Sequence, residues 1–270
     1  MELFIKKYTN GNNSDINRLY LGYEKKGWNR KNFYIDISEY PSIMIAGVHE
    51  NILSQIGTLI GYNINNRLFD SEMSLEIHGE SLNVKNKYRD FEFEFVYDNK
   101  SVETLLLELK QEAMKRHELL DKERARDIWD YNEKAHQKLK RRVIIIDEFE
   151  EVMDNIIVLG LYKELITRMR IVGITLIATV NTDKLLQNRR PTLFRQLTDI
   201  QKEMVLYSPC KILTQTNETF DIFPYDTQQL KDRQMVVEYG KYKRDNGKLG
   251  ALLSGVLQIP NVLPKERIEN

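Results

Sequence analysis

The hydrophobic pattern divides the chain into short buried runs separated by stretches of helical period. Pro41-Ser-Ile-Met-Ile-Ala-Gly47 is apolar up to a glycine and then passes into a segment with Ile52, Ile56, Leu59 and Ile60 at helical spacing. That order predicts a strand, a loop and a helix beginning near Asn51. Val143-Ile-Ile-Ile146 and Gly173-Ile-Thr-Leu-Ile-Ala-Thr179 are two further runs of the kind parallel strands show when both faces are covered. Met73–His78 and Phe91–Tyr97 alternate at period two, as strands do with one buried face. Ser101 to Leu120 places Val102, Leu105, Leu106, Leu109 and Ala113 on one helical face, with Ser101 as N-cap and a charged opposite face read as solvated surface. Helices are also expected over 124–140, 162–170 and 194–206.

Toward both ends the pattern changes to short β elements. Leu3–Tyr8, Arg18–Tyr23 and Asn32–Ile37 read as strands, with a polar turn around Lys25-Lys-Gly27. Gln234–Tyr239 and Leu249–Ile259 read as two strands joined through Asp245-Asn-Gly247. The βαβ alternation between them predicts an α/β fold: a mostly parallel sheet flanked by helices, with small added β elements at the N- and C-terminal ends. One domain is expected, with a β addition over 1–40, a core over 41–206 and a hairpin region and tail over 207–270.

Composition narrows the chemistry. Forty lysines and arginines balance 40 aspartates and glutamates, so no global field draws the chain to nucleic acid or anionic lipid. Local basic groups, Lys138–Arg142, Arg189-Arg190 with Arg195, and Lys241–Arg244 with Tyr242 interleaved, are the places where phosphate backbones would be met; solvated faces are the alternative. Cys210 stands alone, which excludes an internal disulfide and fits a reducing cytoplasm, and the four histidines show no metal-ligand spacing. The longest apolar stretches fall short of the roughly 18 residues of a membrane span, and the N-terminus lacks the order of a signal peptide. A cytoplasmic protein is expected, at a membrane only through a partner.

Two stretches carry candidate chemistry. Against the phosphate-loop template G-x-x-x-x-G-K-[ST], Gly47 holds the first glycine and Ser54 the hydroxyl that meets Mg²⁺. The second glycine has become Ile52 and the lysine Leu53, while Glu50 adds a negative charge inside the loop. Asp147 and Glu148 stand at the C-terminal end of the Val143–Ile146 run, where open α/β sheets place ligands. Paired acids there also serve as caps of a following helix.

The order of these segments resembles the motor core of the FtsK-type DNA translocases, in the same broad group as conjugative coupling ATPases. The resemblance runs from about Leu19 to Leu206. It includes Ile35-Asp-Ile37 leading to Pro41 and Ile45-Ala-Gly47, then Glu112-Ala-Met-Lys-Arg116 and Arg126-Asp-Ile-Trp-Asp-Tyr-Asn132. Val143-Ile-Ile-Ile-Asp-Glu-Phe149 is similar to the family's Walker B strand, and Arg170-Ile-Val-Gly-Ile174 with Leu176-Ile-Ala-Thr179 to its sensor strand.

The resemblance implies a RecA-like P-loop fold, ATP with Mg²⁺ as ligands, ring-forming surfaces and DNA as substrate. It implies metal ligation by Ser54 and Asp147, water activation by Glu148, an intersubunit role for Arg170 and a polar sensor at Asn181, where the family has a glutamine. Gly47, Glu50, Ile52, Leu53 and Ser54 would form the nucleotide loop. Without its lysine and second glycine that loop is degenerate, so ATP binding is expected to be weakened or lost. The function implied is that of an assembly or regulatory partner of an active translocase subunit, or of a homo-oligomeric ring. An active motor with an atypical loop and a nucleotide-independent DNA-binding module are the alternatives. Restoring the template by Glu50→Gly, Ile52→Gly and Leu53→Lys is expected to return nucleotide binding.

Overall fold

The computed structural model describes residues 18–26, 28–65, 73–79, 88, 96–98, 100–187, 197–218, 220, 223, 225–241 and 250–260. The expected strand Leu3–Tyr8, most of Phe91–Tyr97, the turn at 245–247, and the basic residues at 189–195 and 242–244 lie outside the described residues.

Eleven described strands form one mixed sheet. Its parallel part runs β8 (Cys210–Leu213), β3 (Ser42–Gly47), β7 (Ile174–Asn181), β6 (Arg141–Ile146), β4 (Met73–His78), β5 (Val96–Asp98). An antiparallel wing continues it beyond β8 through β9 (Gln234–Lys241), β11 (Leu257–Gln258), β1 (Arg18–Lys26) and the outermost β2 (Asn29–Asp36), with β10 (Gly250–Leu253) also on β9. The α/β fold with added β elements is therefore present, and β8, which pairs parallel with β3, continues the core sheet beyond residue 206.

Alternation along the central strands splits the core in two. Met44 and Ala46 of β3, Ile144 and Ile146 of β6, and Leu176 and Ala178 of β7 pack under α2 (Val102–Lys122), α4 (Ile156–Met169) and α6 (Asp199–Tyr207). Ile43, Ile45, Val143, Ile145 and Ile177 face the other way, onto Ile52, Leu53, Ile56 and Ile60 of α1 (Glu50–Asn65). This is the consequence of period-two strands covered on both faces.

Side-chain caps set several helix boundaries. Ser101 accepts from the Thr104 N–H at 3.3 Å and starts α2 as expected. Asn155 caps α4, which begins six residues before the expected 162. Thr198 and Gln201 form a capping box at the start of α6. The expected helix over 124–140 is only Ile128–Lys134 (α3). It is cut short because the Asn132 amide pairs with Leu139, accepting its N–H at 2.8 Å and donating to its carbonyl at 2.9 Å, so the chain turns back toward β6.

The charged face of α2 is less solvated than its sequence implied. Arg116 is 7% exposed, donates to the Val172 carbonyl at 2.8 Å and pairs with Glu112 at 2.7 Å. Arg142 of β6 joins Glu112 to Glu76 of β4. Arg141 is buried at 4% exposure with its guanidinium 5.1 Å from the Trp129 ring. Within the Lys138–Arg142 run these two arginines are thus engaged inside the protein, whereas Lys138 and Lys140 are exposed.

Burial alone would raise the Glu76 carboxyl, but hydrogen bonds and charge from His78 and Arg142 outweigh it and hold the group at about 2. A carboxylate depressed in the folded state stabilises above its ordinary 4.5 and loses that contribution as pH falls through 2. Glu76→Gln is expected to lower stability at neutral pH by about 3 kcal/mol and to flatten the acid limb of a urea-denaturation pH profile. An unchanged acid limb would contradict this.

Candidate functional site

The C-terminal ends of β3, β6 and β7 meet at a cleft of about 190 Å³. Glu50 and Leu53 line it from α1, Asp147, Glu148 and Glu150 from the segment after β6, Thr179 and Asn181 from β7, and Lys184 from the short α5 (Thr182–Gln187). Parallel strands deliver their last residues to one edge, which is why the acids and the phosphate-loop segment come together.

The loop itself is closed. Between Gly47 and the first residue of α1 there are only Val48 and His49. The N–H groups of Ile52 and Leu53 both donate to the His49 carbonyl, at 2.8 and 3.1 Å, and that of Val48 donates to Gln215 at 3.0 Å. Three backbone donors of the segment, those of Val48, Ile52 and Leu53, are therefore engaged inside the protein. Ile52 and Leu53 are 6% and 3% exposed and belong to the core under α1. Gly47 has a packing reason of its own: a Cβ there would lie 1.8 Å from Thr214 Oγ1 on the segment after β8.

Asp147 and Glu148 are held by β4 and β7. The Asp147 N–H donates to the His78 carbonyl at 2.9 Å, and the Thr179 hydroxyl donates to its carboxylate. Glu148 adopts the left-handed conformation (φ 59°) as the chain swings from β6 into the 3-10 turn Phe149–Val152. Its N–H donates to Thr179 Oγ1 at 3.2 Å, and its side chain makes no capping bond to that turn. The capping alternative therefore does not describe Glu148.

Positive charge in the cleft comes from Lys184. Its ammonium lies 2.8 Å from Glu50, 3.6 Å from Glu148 and 4.0 Å from Glu150. Asn181 aims it: its side-chain oxygen accepts the N–H groups of Asp183 and Lys184 at 3.0 and 3.2 Å, capping α5. The Asn181 amide also reaches Glu50 at 3.5 Å, and its backbone N–H donates to Glu150 at 3.0 Å. The hydrogen bond to Glu50, with the other two carboxylates, raises the Lys184 ammonium above its ordinary value and keeps it charged. Glu150 moves the other way from most carboxylates. Burial pushes it up to about 7 against the opposing Asn181 N–H and Lys184, and Asp147 adds to the rise.

Of the residues singled out in the sequence, Glu50, Leu53, Asp147, Glu148 and Asn181 line the cleft, whereas Gly47, Ile52 and Ser54 do not. Arg170 is exposed at the C-terminus of α4, just before β7 begins, and so lies at the opposite edge of the sheet. Glu150 and Lys184 were not singled out. The acid run continuing past Glu148 and a lysine three residues beyond Asn181 were the available signals, and neither has a template.

The residues present do not fit a nucleotide with Mg²⁺. The Val48, Ile52 and Leu53 N–H groups are engaged, and Glu50 and Leu53 stand where backbone and lysine would meet phosphate. Among the described residues no group of three or more His, Cys, Asp or Glu side chains is arranged to hold a metal ion.

No protein-family profile and no curated protein sequence matches the chain. Solved structures do. The conjugation coupling protein TcpA of pCW3, in its monomer form with ATPγS, superposes with a TM-score of 0.64 at 18% identity over 92% of this chain and 66% of its own. EssC ATPases 2 and 3 from Geobacillus thermodenitrificans give 0.61 at 14% identity, over 91% of this chain and 44% of theirs. EccC ATPases 2 and 3 from Thermomonospora curvata, in complex with a signal sequence peptide, give 0.61 at 15% identity, over 93% and 42%. The chain thus spans about two thirds of the TcpA chain and less than half of the other two. The chain thus shares its fold with the conjugation coupling protein TcpA and with the ATPase modules of EssC and EccC.

Proposed function

We propose that this domain keeps the FtsK-type P-loop frame without efficient ATP hydrolysis and acts as an assembly or regulatory partner of an active translocating ATPase. The observation that carries the reading is the closed loop: the Ile52 and Leu53 N–H groups donate to His49, and Lys184 neutralises the acid cluster from within. A phosphate arriving there would meet Glu50 and no loop lysine, with the Val48, Ile52 and Leu53 N–H groups already engaged. Relatives of this fold work in conjugation and in type VII secretion, and a ring containing active subunits is the setting in which such a domain has a role. Loss of one charged lysine contact alone removes about 1.5–3 kcal/mol of phosphate binding.

A second reading, a working ATPase with an atypical loop, is favoured by the same Lys184, whose ammonium stands within 4 Å of the Walker B acid Glu148. Calorimetric titration with Mg-ATP separates the two. Weak or absent binding is expected, and a dissociation constant in the low micromolar range would overturn the first reading and favour the motor.

A further inference from the structure

The β1–β2 hairpin presents the most exposed large apolar side chain among the described residues: Trp28, at its tip, is 104% exposed. Lys25, Arg30 and Lys31 beside it are exposed as well, and Lys26 completes four cations in residues 25–31 with no acid among them, in a chain of zero net charge. Lys25 stands directly opposite Arg30 in the antiparallel register, an unfavourable like-charge pair. Charged residues on the outermost strand would serve to keep it from pairing with other chains. A bare tryptophan at the tip works against that purpose, and local violations of this kind mark functional places.

Cations around aromatic rings suit either a single nucleic-acid strand or an anionic bilayer, and the ring geometry separates these. Arg30 lies over the Tyr23 ring at 4.8 Å and Arg18 over Tyr34 at 5.9 Å, so guanidinium groups already cover both tyrosines. A stacking groove strings several free rings along a strand. Here one exposed ring stands at the apex, with Lys25, Arg30 and Lys31 exposed on the two strands that lead to it and Lys31 opposite Glu24 in the register, an arrangement suited to a flat anionic surface. Tryptophan settles at the headgroup level of a membrane, and lysines and arginines beside it meet lipid phosphates.

We propose that the β1–β2 hairpin tip is a peripheral docking site for an anionic lipid surface, with Trp28 entering the headgroup layer and Lys25, Arg30 and Lys31 meeting the phosphates. It is independent of the nucleotide site. Flotation of the whole chain with phosphatidylcholine vesicles, with and without phosphatidylglycerol, tests it. Binding is expected only with phosphatidylglycerol and is expected to fall as salt rises. Lys25→Ala with Lys31→Ala is expected to lower the partition coefficient about 25-fold, at about fivefold for each cation lost. Trp28→Ala is expected to lower it severalfold and to abolish the blue shift of tryptophan emission on binding. All three side chains are exposed, so unchanged thermal melts are expected to confirm that the variants fold. No binding to phosphatidylglycerol vesicles, or binding indifferent to Trp28 and the lysines, overturns the proposal. So does single-stranded oligonucleotide binding through these residues without vesicle binding.

Discussion

Ile52→Gly is expected to lower the stability of this domain by about 4 kcal/mol and to return no affinity for Mg-ATP, alone or combined with Glu50→Gly and Leu53→Lys. From the template alone, the triple substitution reads as a repair of the loop. In the structure, Ile52 lies in the first turns of α1, 6% exposed, against Ile56, Ile60 and the β3 and β6 strands. Emptying such a position costs about 2–5 kcal/mol, and glycine inside a helix adds up to about 1. Domains of this size have about 5–15 kcal/mol in total. Leu53→Lys is milder, because Leu53 borders the cleft and a lysine there reaches Glu50, Asp147 and Glu148. Two measurements decide the matter: urea denaturation of each variant, and Mg-ATP calorimetry on those that fold. A triple variant as stable as the parent that binds Mg-ATP would show that the helix start reopens readily and that side chains alone closed the loop.

Glu150→Gln is expected to stabilise the domain above pH 7, by up to about 3 kcal/mol, and to have no stabilising effect below pH 4.5. The sign follows from the direction of the shift. Burial raises the Glu150 carboxyl from 4.5 to about 7, so the folded state holds its proton more tightly than the unfolded state does. Its favourable contribution is complete below 4.5 and is lost as pH rises through 7. The interval between those values corresponds to about 3 kcal/mol. Glutamine is neutral throughout and can still accept the Asn181 N–H. Glu76 has the opposite slope on the acid side, so denaturation profiles of Glu76→Gln and Glu150→Gln should differ from the parent in separate pH windows. A Glu150→Gln profile parallel to that of the parent between pH 5 and 8 would mean that Glu150 is already ionised, with Lys184 neutralising it fully.

The central sheet was legible because fully covered strands leave an unambiguous trace. Val143–Ile146, Ile174–Thr179 and Ile43–Ala46 are continuous apolar runs, Met73–His78 alternates, and all pair as parallel neighbours. Asp147 and Glu148 were legible for the same reason, since the end of such a strand is where the chain emerges at the ligand edge. The Ser101 cap was readable from a local hydrogen bond.

Tertiary context decided the rest. Cys210–Leu213 is four residues long and has too little pattern to announce a strand; its place beside β3 comes from pairing, and burial there pushes the Cys210 thiol up to about 12. The apolar stretch 249–259 splits into β10 and β11, because its first part pairs with β9 and its end bridges β9 and β1.

The candidate site shows the same division. Gly47, Ser54, Asp147 and Glu148 match a template by position, and sequence by itself determined the frame and the missing lysine. Whether the loop stays open depends on where α1 starts, on the pull of Ile52 and Leu53 into the core, and on Lys184 arriving from beyond β7. Those are contacts between residues far apart in sequence, Glu50 with Lys184 and Val48 with Gln215, and their energies exist only once the sheet has brought the strand ends together.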